Sequence, residues 1–429
     1  MTTSQSFLAT KPEERDEPGR RKPVMPDPLE SRISPPDPET GRMLLNFGPS
    51  HPSTHGTLRV MLQIKGETIE KAWAEIGYLH TGFEKLGEAL NYNQFIPLSD
   101  RMNYLSSLSN NIGYAHAAEE LLGIEITDRC RYARIILAEL SRISDHIVWL
   151  GMQAVDIGAM TPFLWGFARR EELYEILEEV CGARMTTSVT RVGGMMRDLP
   201  DDFVETVRIF VDKFDHTWRE INELLTRNRI WVDRTAGVGP LTKDDAINYG
   251  VTGPVLRASG VDYDVRKDHP YFGYEEFDFD VPIGEHGDVY DRYLVRLEEM
   301  RQSTRIIRQA LDKLPDGPIN VYDNKYVLPP KEEVFNTIEG MIHHFELIMP
   351  GFGQKTPVGA EVYSCTEAPC GELGYYLAAN GTGNPYRVRV RPPSFVNYMP
   401  IEKLLEGHMI SDVVAIMGSL NIIAGELDR

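Results

Sequence analysis

The sequence predicts an α+β fold in which a central bundle of long helices lies between small antiparallel sheets. Apolar residues recur at helical spacing in several long segments between about residues 99 and 314. Before and after those segments, short alternating apolar runs are separated by turn residues, which is typical of strands. The sequence contains no internal repeat. These observations predict one α+β unit over residues 42–429, preceded by an arm at residues 1–41.

The arm differs in composition from the rest of the chain. It is rich in proline and in charges of both signs, and it has few large apolar side chains. Such a segment buries too little surface to offset its ordering entropy. We therefore expect a disordered arm, or a strap that becomes ordered on a partner.

The segment "NFGPSHPSTHG", residues 46–56, predicts a loop between two strands. Pro49 and Pro52 exclude a regular helix, so His51 and His55 cannot form a metal clamp on one helical face. Apolar runs flank the segment, and a "KGE" turn after the second run predicts a hairpin into a third strand. A loop histidine at this sheet edge either projects into a cleft or caps backbone groups in the turn.

Capping signals predict the ends of the long helices. Ser, Thr and Asp side chains accept hydrogen bonds at helix starts, proline fits the first turn, and glycine follows helix ends. The predicted boundaries are Ser99 or Asp100 to Gly123, Thr127 or Asp128 to about residue 160, Thr161 to Gly182 with Pro162 in the first turn, 201–228, 287–314 and 401–424.

Between and after these helices, two segments have a different pattern. Residues 261–293 are aromatic, acidic and rich in turn residues, which predicts an ordered loop. Residues 361–395 predict short strands and turns.

The overall composition limits the classes of function. The chain has 429 residues, of which 42% are hydrophobic and 25% charged, as in ordinary soluble globular proteins. The formal net charge of -19 argues against nucleic acid as a partner, because phosphate binding requires a basic surface. No segment is apolar over the length of a membrane span, no secretory signal is evident, and four unclustered cysteines predict a reducing cytoplasm.

The sequence offers no convincing site for a metal, a nucleotide or an iron–sulfur cluster. The segment "GFGQKTP" lacks the glycine that precedes the lysine in a phosphate loop. Cys365 and Cys370 are too far apart for a CxxC pair, and His343 and His344 are adjacent, so they point about 100° apart on a helix. If the protein takes part in redox chemistry, another subunit must carry the electrons.

One group of residues remains as a candidate site. Asp156 shares a helical face with Met152, Trp149 and Asp145. A carboxylate beside methionine and tryptophan needs a cationic or hydrogen-bonding partner, and a histidine would meet that need. Tyr104, predicted in the first turn of its helix, could place a phenol in the same cleft. Alternatively, Asp156 caps the following turn and Tyr104 belongs to the core.

The chain resembles the D-subunit family of bacterial NADH-quinone oxidoreductase, the hydrogenase-like subunit of respiratory complex I. The resemblance covers the chain from about residue 42 to Arg429, in order. Its motifs are "NFGPSHPSTHGTLR", "GYLHTGFEKL", "DRMNYL", "DIGAMTPFLWGFARRE", "GARM", "VGGMMRDLP", "GDVYDRY", "EAPCGELGYYL", "RPPSF" and "GHMISDVVAIMGSLNIIAGELDR".

The resemblance implies the fold of the nickel–iron hydrogenase large subunit without its metal site. Those hydrogenases hold their metal with two CxxC pairs. The corresponding segments here, "TGFEK" and the terminal "GELDR", contain no cysteine. An active hydrogenase is therefore nearly excluded.

The resemblance also implies a quinone pocket at the contact with a small iron–sulfur subunit. The family's tyrosine and histidine fall on Tyr104 and His55, which would donate protons to the two quinone oxygens, and its aspartate falls on Asp156, which would orient the imidazole. Further lining is implied at Val148, Met152 and Thr81. His51 is expected to be structural, or at most to support the site indirectly.

Three residues depart from the family pattern and affect the electrostatics of the implied pocket. Met152 stands where many members have a small hydroxyl residue. Thr81 and Cys370 stand where many have an arginine and a lysine, respectively.

The resemblance further implies the surroundings of the chain. The chain alone would bind no cofactor, its substrate would be ubiquinone or menaquinone, and partner subunits would hold the iron–sulfur clusters and FMN. The implied partners are the B, C and I subunits and the H subunit of the membrane arm, at the cytoplasmic face of the bacterial inner membrane. The alternative is a non-catalytic scaffold that docks the peripheral arm to the membrane arm.

Overall fold

The computed structural model describes residues 36–54, 56–349 and 352–429. The predicted arm at residues 1–41 therefore lies mostly outside the described residues. Its last residues form a turn in which the amide of Gly41 donates to the carbonyl oxygen of Asp37. His55 also lies outside the described residues.

The predicted N-terminal sheet is present. Its three antiparallel strands are β1 (Arg42–Phe47), β2 (Arg59–Lys65) and β3 (Thr68–Glu75), in the order β1-β2-β3. Phe47 and Val60 form the last pair of the β1–β2 ladder. Most of the segment at residues 46–56 therefore lies in the connection between these two strands. The prediction of a strand connection followed by a hairpin is confirmed.

Seventeen helices and five further strands complete the described ranges, together with single 3-10 turns at Pro52–Thr54 and Tyr274–Glu276. The helices before residue 240 are α1 (Phe83–Ala89), α2 (Tyr92–Met102), α3 (Ser107–Leu122), α4 (Asp128–Ile157), α5 (Met160–Cys181), α6 (Phe203–Leu225) and α7 (Arg229–Thr235). The later helices are α8 (Lys243–Asn248), α9 (Gly253–Ala258), α10 (Val265–Asp268), α11 (Val289–Lys313), α12 (Lys331–Asn336), α13 (Ile338–Ile348), α14 (Pro393–Tyr398), α15 (Ile401–Leu405), α16 (Ile410–Ser419) and α17 (Ala424–Asp428). The remaining strands are β4 (Thr190–Arg191), β5 (Gly194–Met195), β6 (Val358–Ala368), β7 (Gly371–Asn380) and β8 (Arg387–Arg391).

Helix α4 is the centre of the bundle. The Thr127 hydroxyl accepts the amide hydrogen of Cys130, and Gly158 ends the helix in the left-handed region at φ 103°. The helix packs against α3, α5, α11 and α16. Because neighbours cover it on several sides, most of α4 is buried, including charged residues. The mixed fold of long helices and small antiparallel sheets is confirmed.

The C-terminal sheet has the order β6-β7-β8 and packs against α3. Gly113 permits this close approach, because a Cβ there would lie 2.8 Å from the Thr366 hydroxyl oxygen. The prediction of strands and turns at residues 361–395 is confirmed. Within the described ranges, none of the helices has the length and apolar character that crossing a membrane requires.

Two predicted helix starts are wrong. Ser99 and Asp100 lie inside α2, which Asn91 caps, and α3 begins only at Ser107. The Asp100 side chain serves a tertiary contact, since it accepts from Asn111 Nδ2 at 2.6 Å and not from its own following amides. Helix α5 begins one residue before Thr161, with Ala159 as its N-cap.

The predicted final helix over residues 401–424 is also wrong. The segment forms α15, α16 and α17, interrupted at Gly407 with φ 83° and at Asn421 with φ 53°. The Asn421 side chain binds a buried carboxylate of α4, and this tertiary hydrogen bond overrides the local helical pattern.

Candidate functional site

A cavity of about 350 Å³ lies where the C-terminal half of α4 meets the N-terminal loop and the last helices. Its walls are mainly apolar and contain a few convergent polar groups, as in pockets that bind small molecules. It is lined by Pro52, Ser53, Leu58, Tyr104, Leu105, Val148, Trp149, Met152, Gln153, Asp156, Tyr398, Met417, Gly418, Asn421, Ile422 and Ile423.

Tyr104 reaches the cavity from the connection between α2 and α3, and not from the first turn of a helix as predicted. The Asn103 side-chain oxygen accepts the amide hydrogens of Leu105 and Ser106 at 3.2 and 3.1 Å. This turn holds Tyr104 half-buried against the cavity. Burial raises the pKa of Tyr104, and the negative charge of Asp145 raises it further, so the phenol stays protonated at neutral pH.

The last turns of α4 form one wall. Val148, Met152 and Asp156 follow one another at intervals of four residues, which places them on one helical face toward the cavity. Trp149 is fixed beside them, because its indole nitrogen donates to the Gly418 carbonyl oxygen at 2.6 Å. The structure therefore brings Asp156, Val148 and Met152 together with Tyr104 at one cavity.

The N-terminal loop covers the cavity with Pro52 and Ser53. The His51 ring packs on Phe47 with centroids 4.2 Å apart, and its Nδ1 accepts the Ser53 amide hydrogen at 3.2 Å. His51 therefore has the turn-capping role that was one of the two sequence alternatives. His55, the second histidine of this loop and the predicted proton donor, lies outside the described residues.

Thr81 does not line the cavity. It is exposed, and its hydroxyl donates to the Leu79 carbonyl oxygen at 3.3 Å. This segment is bound to the C-terminus, because the Asp428 carboxylate accepts the amide hydrogens of Gly77 and Leu79 at 2.8 and 2.7 Å. The "TGFEK" and "GELDR" segments are thus neighbours: Arg429 lies 3.5 Å from Glu84.

Sequence reasoning missed several lining residues. Tyr398, Gln153 and Asn421 contribute polar groups to the cavity wall. The Tyr398 hydroxyl has no hydrogen-bond partner among the described residues. Tyr398 and Asn421 are distant from Tyr104 in sequence, and no local pattern connects them, so only the tertiary fold could identify them.

No group of three or more His, Cys, Asp or Glu side chains is arranged to hold a metal ion in the described ranges. Cys370 is fully buried and its thiol donates to the Asn421 carbonyl oxygen at 3.4 Å. Burial raises the pKa of this thiol, so it remains neutral.

Comparisons with known proteins agree on one family. A family model described as "Respiratory-chain NADH dehydrogenase, 49 Kd subunit" matches residues 156–429. The D subunit of NADH-quinone oxidoreductase from Geotalea uraniireducens is 53% identical over 387 residues, which cover 90% of this chain and 98% of the relative. Its counterpart from Methylacidiphilum infernorum is 51% identical over 392 residues, covering 91% of this chain and 93% of the relative. The counterpart from Salinibacter ruber is 49% identical over 393 residues, which cover 92% of this chain and 87% of the relative. The chain therefore belongs to the family of the 49 kDa subunit, or D subunit, of the respiratory oxidoreductase called NADH-quinone oxidoreductase or complex I.

Proposed function

We propose that this chain forms the quinone headgroup site of complex I together with the small iron–sulfur protein of the complex, its B subunit, and that it supplies protons during quinone reduction. The observation that carries the proposal is the cavity that unites the Tyr104 phenol and the Asp156 carboxylate with the apolar walls of α4. A quinone is a flat, largely apolar ring with two opposite oxygens. Its reduction takes two electrons and two protons, so it requires a shielded cavity with positioned proton donors.

The proposed roles are those that the family resemblance implies, and each suits the chemistry of its group. Tyr104 donates a proton to one quinone oxygen, and its raised pKa keeps that proton available at neutral pH. His55 donates to the other oxygen. Asp156 orients the imidazole of His55 and stabilises its charged form. Val148 and Met152 exclude water.

The surroundings of the site are part of the proposal. The fold is that of the nickel–iron hydrogenase large subunit without the metal, in one domain over residues 42–429. Electrons originate at NADH and pass through FMN and the iron–sulfur clusters of other subunits. The C, I and H subunits complete the contacts at the cytoplasmic face of the bacterial membrane, and this chain associates there peripherally. The quinone is ubiquinone or menaquinone.

A cavity-filling variant tests whether quinone binds here. Met152 lines the cavity and is 39% exposed, so the larger indole of Met152→Trp can enter the cavity without disturbing the core. We expect the KM for a short-chain quinone to rise about tenfold or more, equivalent to a loss of about 1.4 kcal/mol of binding. The measurement is inhibitor-sensitive electron transfer from NADH in the purified complex.

The matched control is Met409→Trp. Met409 is 46% exposed at the start of α16 and does not line the cavity. This variant should keep the original KM. In both variants, electron transfer from NADH to an artificial acceptor that acts upstream of the quinone should be unchanged. An unaltered KM in Met152→Trp would show that the headgroup binds elsewhere.

A second variant tests the link to proton pumping. When His55 loses its proton, no positive charge balances the Asp156 carboxylate. We propose that this change in local charge is the first signal that starts proton pumping in the membrane arm. An amide at this position cannot carry the charge. The Asp156→Asn complex should therefore translocate fewer protons per quinone reduced, measured in proteoliposomes. A complex with the original stoichiometry would contradict this role of Asp156.

The competing candidate is a scaffold that only docks the two arms. It predicts that cavity variants either impair assembly or have no effect. Selective loss of quinone reduction in a fully assembled complex separates the two functions.

A further inference from the structure

A chain of buried polar groups leads from the cavity wall into the core. Asn421 lines the cavity, and its Nδ2 donates to Asp145 Oδ2 at 2.7 Å. The same carboxylate oxygen lies 3.7 Å from His146 Nδ1. On the opposite side of the ring, His146 Nε2 is 2.8 Å from Glu299 Oε2. Asp145, His146 and Glu299 are all at most 1% exposed.

Glu299 determines which ring nitrogen of His146 carries the first proton. Arg257 holds this carboxylate with two nitrogens, with Nε at 3.0 Å from Oε1. The guanidinium and His146 together overcome the cost of burial and hold the pKa of Glu299 well below its usual range. The ionised carboxylate accepts a hydrogen bond from Nε2, so His146 Nδ1 is the nitrogen that faces Asp145.

A second proton can occupy either member of the Asp145–His146 pair. Burial raises the pKa of Asp145 and lowers the pKa of His146, so their proton affinities approach each other. Asp145 Oδ1 and His146 Nδ1 have no hydrogen-bond partner among the described residues. When the pair holds this second proton, it is either an imidazolium with a carboxylate or a neutral ring with a carboxylic acid.

The other groups around the pair fix its electrostatics. They come from several elements around this part of α4, and only some are ionised. The titratable and charged groups are Arg170 of α5, Arg296 and Glu299 of α11, Cys370 between β6 and β7, Glu426 of α17, and Tyr104. Burial raises the pKa of Glu426 to about 8, so this neighbour is neutral at pH 7.

Tyr104 lies within electrostatic reach of this pair. The Asp145 charge acts on the phenol, and both Tyr104 and the Asn421 amide that binds Asp145 line the same cavity. Asn421 therefore connects the buried pair to the cavity that Tyr104 lines.

We propose that Asp145 and His146 hold the proton that restores Tyr104 after its own proton has gone to the bound substrate. The inference rests on the proposed quinone site. The O–H bond of Tyr104 breaks and its proton moves to the reduced quinone oxygen, leaving a phenolate. In the imidazolium form, His146 Nδ1 passes its proton to Asp145, and the resulting Asp145 carboxylic acid gives that same proton to the phenolate, which leaves a neutral ring and a carboxylate. The pair regains one proton from solvent before the next turnover.

The test is the pH profile of quinone reduction in the purified complex carrying Asp145→Asn. The amide has the shape of the carboxyl group, and its oxygen still accepts from Asn421. Without the buried donor, the phenolate must take its proton from solvent, so the rate becomes limited by proton concentration. We expect the rate of quinone reduction at pH 7 to fall at least fivefold. The rate should also decline more steeply from pH 6 to pH 8 than in the original complex.

The matched control is Glu298→Gln, which removes a carboxylate from the same helix. Glu298 is next to Glu299 in sequence, but its carboxylate binds the exposed Arg301 and not His146. This variant should keep the original rate and profile. Subunit content and upstream electron transfer check assembly of both variants. The proposal would be overturned if Asp145→Asn left the pH profile of quinone reduction unchanged, or if it lowered the rate by the same factor at every pH. If Tyr104→Phe also had no effect, the quinone site itself would be wrong.

Discussion

We expect the Tyr104→Phe complex to reduce a short-chain quinone at least about 100-fold more slowly, because general acid catalysis typically contributes about 10²–10⁴ in rate. The substitution removes one hydroxyl and keeps the ring that lines the cavity. The effect should appear in kcat more than in KM, since the lost group acts in the proton transfer. Electron transfer to an acceptor upstream of the quinone measures the remaining activity of the complex.

Tyr398→Phe is the matched control. Tyr398 lines the same cavity and is 3% exposed, and its hydroxyl has no partner among the described residues. If Tyr104 is the donor, Tyr398→Phe should retain most of the activity. The opposite result, with Tyr398→Phe inactive and Tyr104→Phe active, would transfer the proposed role to Tyr398. Unchanged activity in both variants would favour the scaffold.

The Arg257→Met variant is expected to lose about 3–5 kcal/mol of the free energy of unfolding, because it leaves buried carboxylates without their cation. Arg257 is fully buried. Its Nη1 is 2.9 Å from Glu367 and 3.5 Å from Asp264, and it also holds Glu299. Methionine fills part of the volume but pairs with none of these groups. Chemical denaturation of the full chain measures the loss.

Arg301→Met provides the comparison. Arg301 forms its ion pair with Glu298 on the surface of α11, and its side chain is 57% exposed. Exposed pairs contribute about 0–1 kcal/mol, so this variant should unfold almost like the original chain. If both arginine variants lost the same free energy of unfolding, burial would not be the reason that the Arg257 ion pairs stabilise the fold.

The sequence was sufficient where local chemistry decides the structure. The Thr127 cap, the Gly182 stop and the two strands around residues 46–56 depend on neighbours within a few residues. The face of α4 that carries Trp149, Met152 and Asp156 follows from helical periodicity alone. These elements were therefore predicted with the correct positions.

The errors have a common physical cause. Asp100 was predicted as a helix cap, but its carboxylate bonds to Asn111 of the next helix. Asn421 interrupts a predicted continuous helix because its amide binds buried Asp145. In both cases a buried polar group needs a partner, and a distant residue provides it. Local propensity contributes less free energy than leaving such a group unpaired.

By itself, the sequence determined the α+β class, the long helices and the resemblance to one family through motifs in a fixed order. It also placed Tyr104 and Asp156 as candidates. Only the tertiary structure decided that Tyr104 lies in a turn, that Tyr398 and Asn421 share its cavity, and that Thr81 does not. The reason is that a cavity is formed by packing between distant segments, whose side-chain directions are fixed by contacts and not by spacing along the chain.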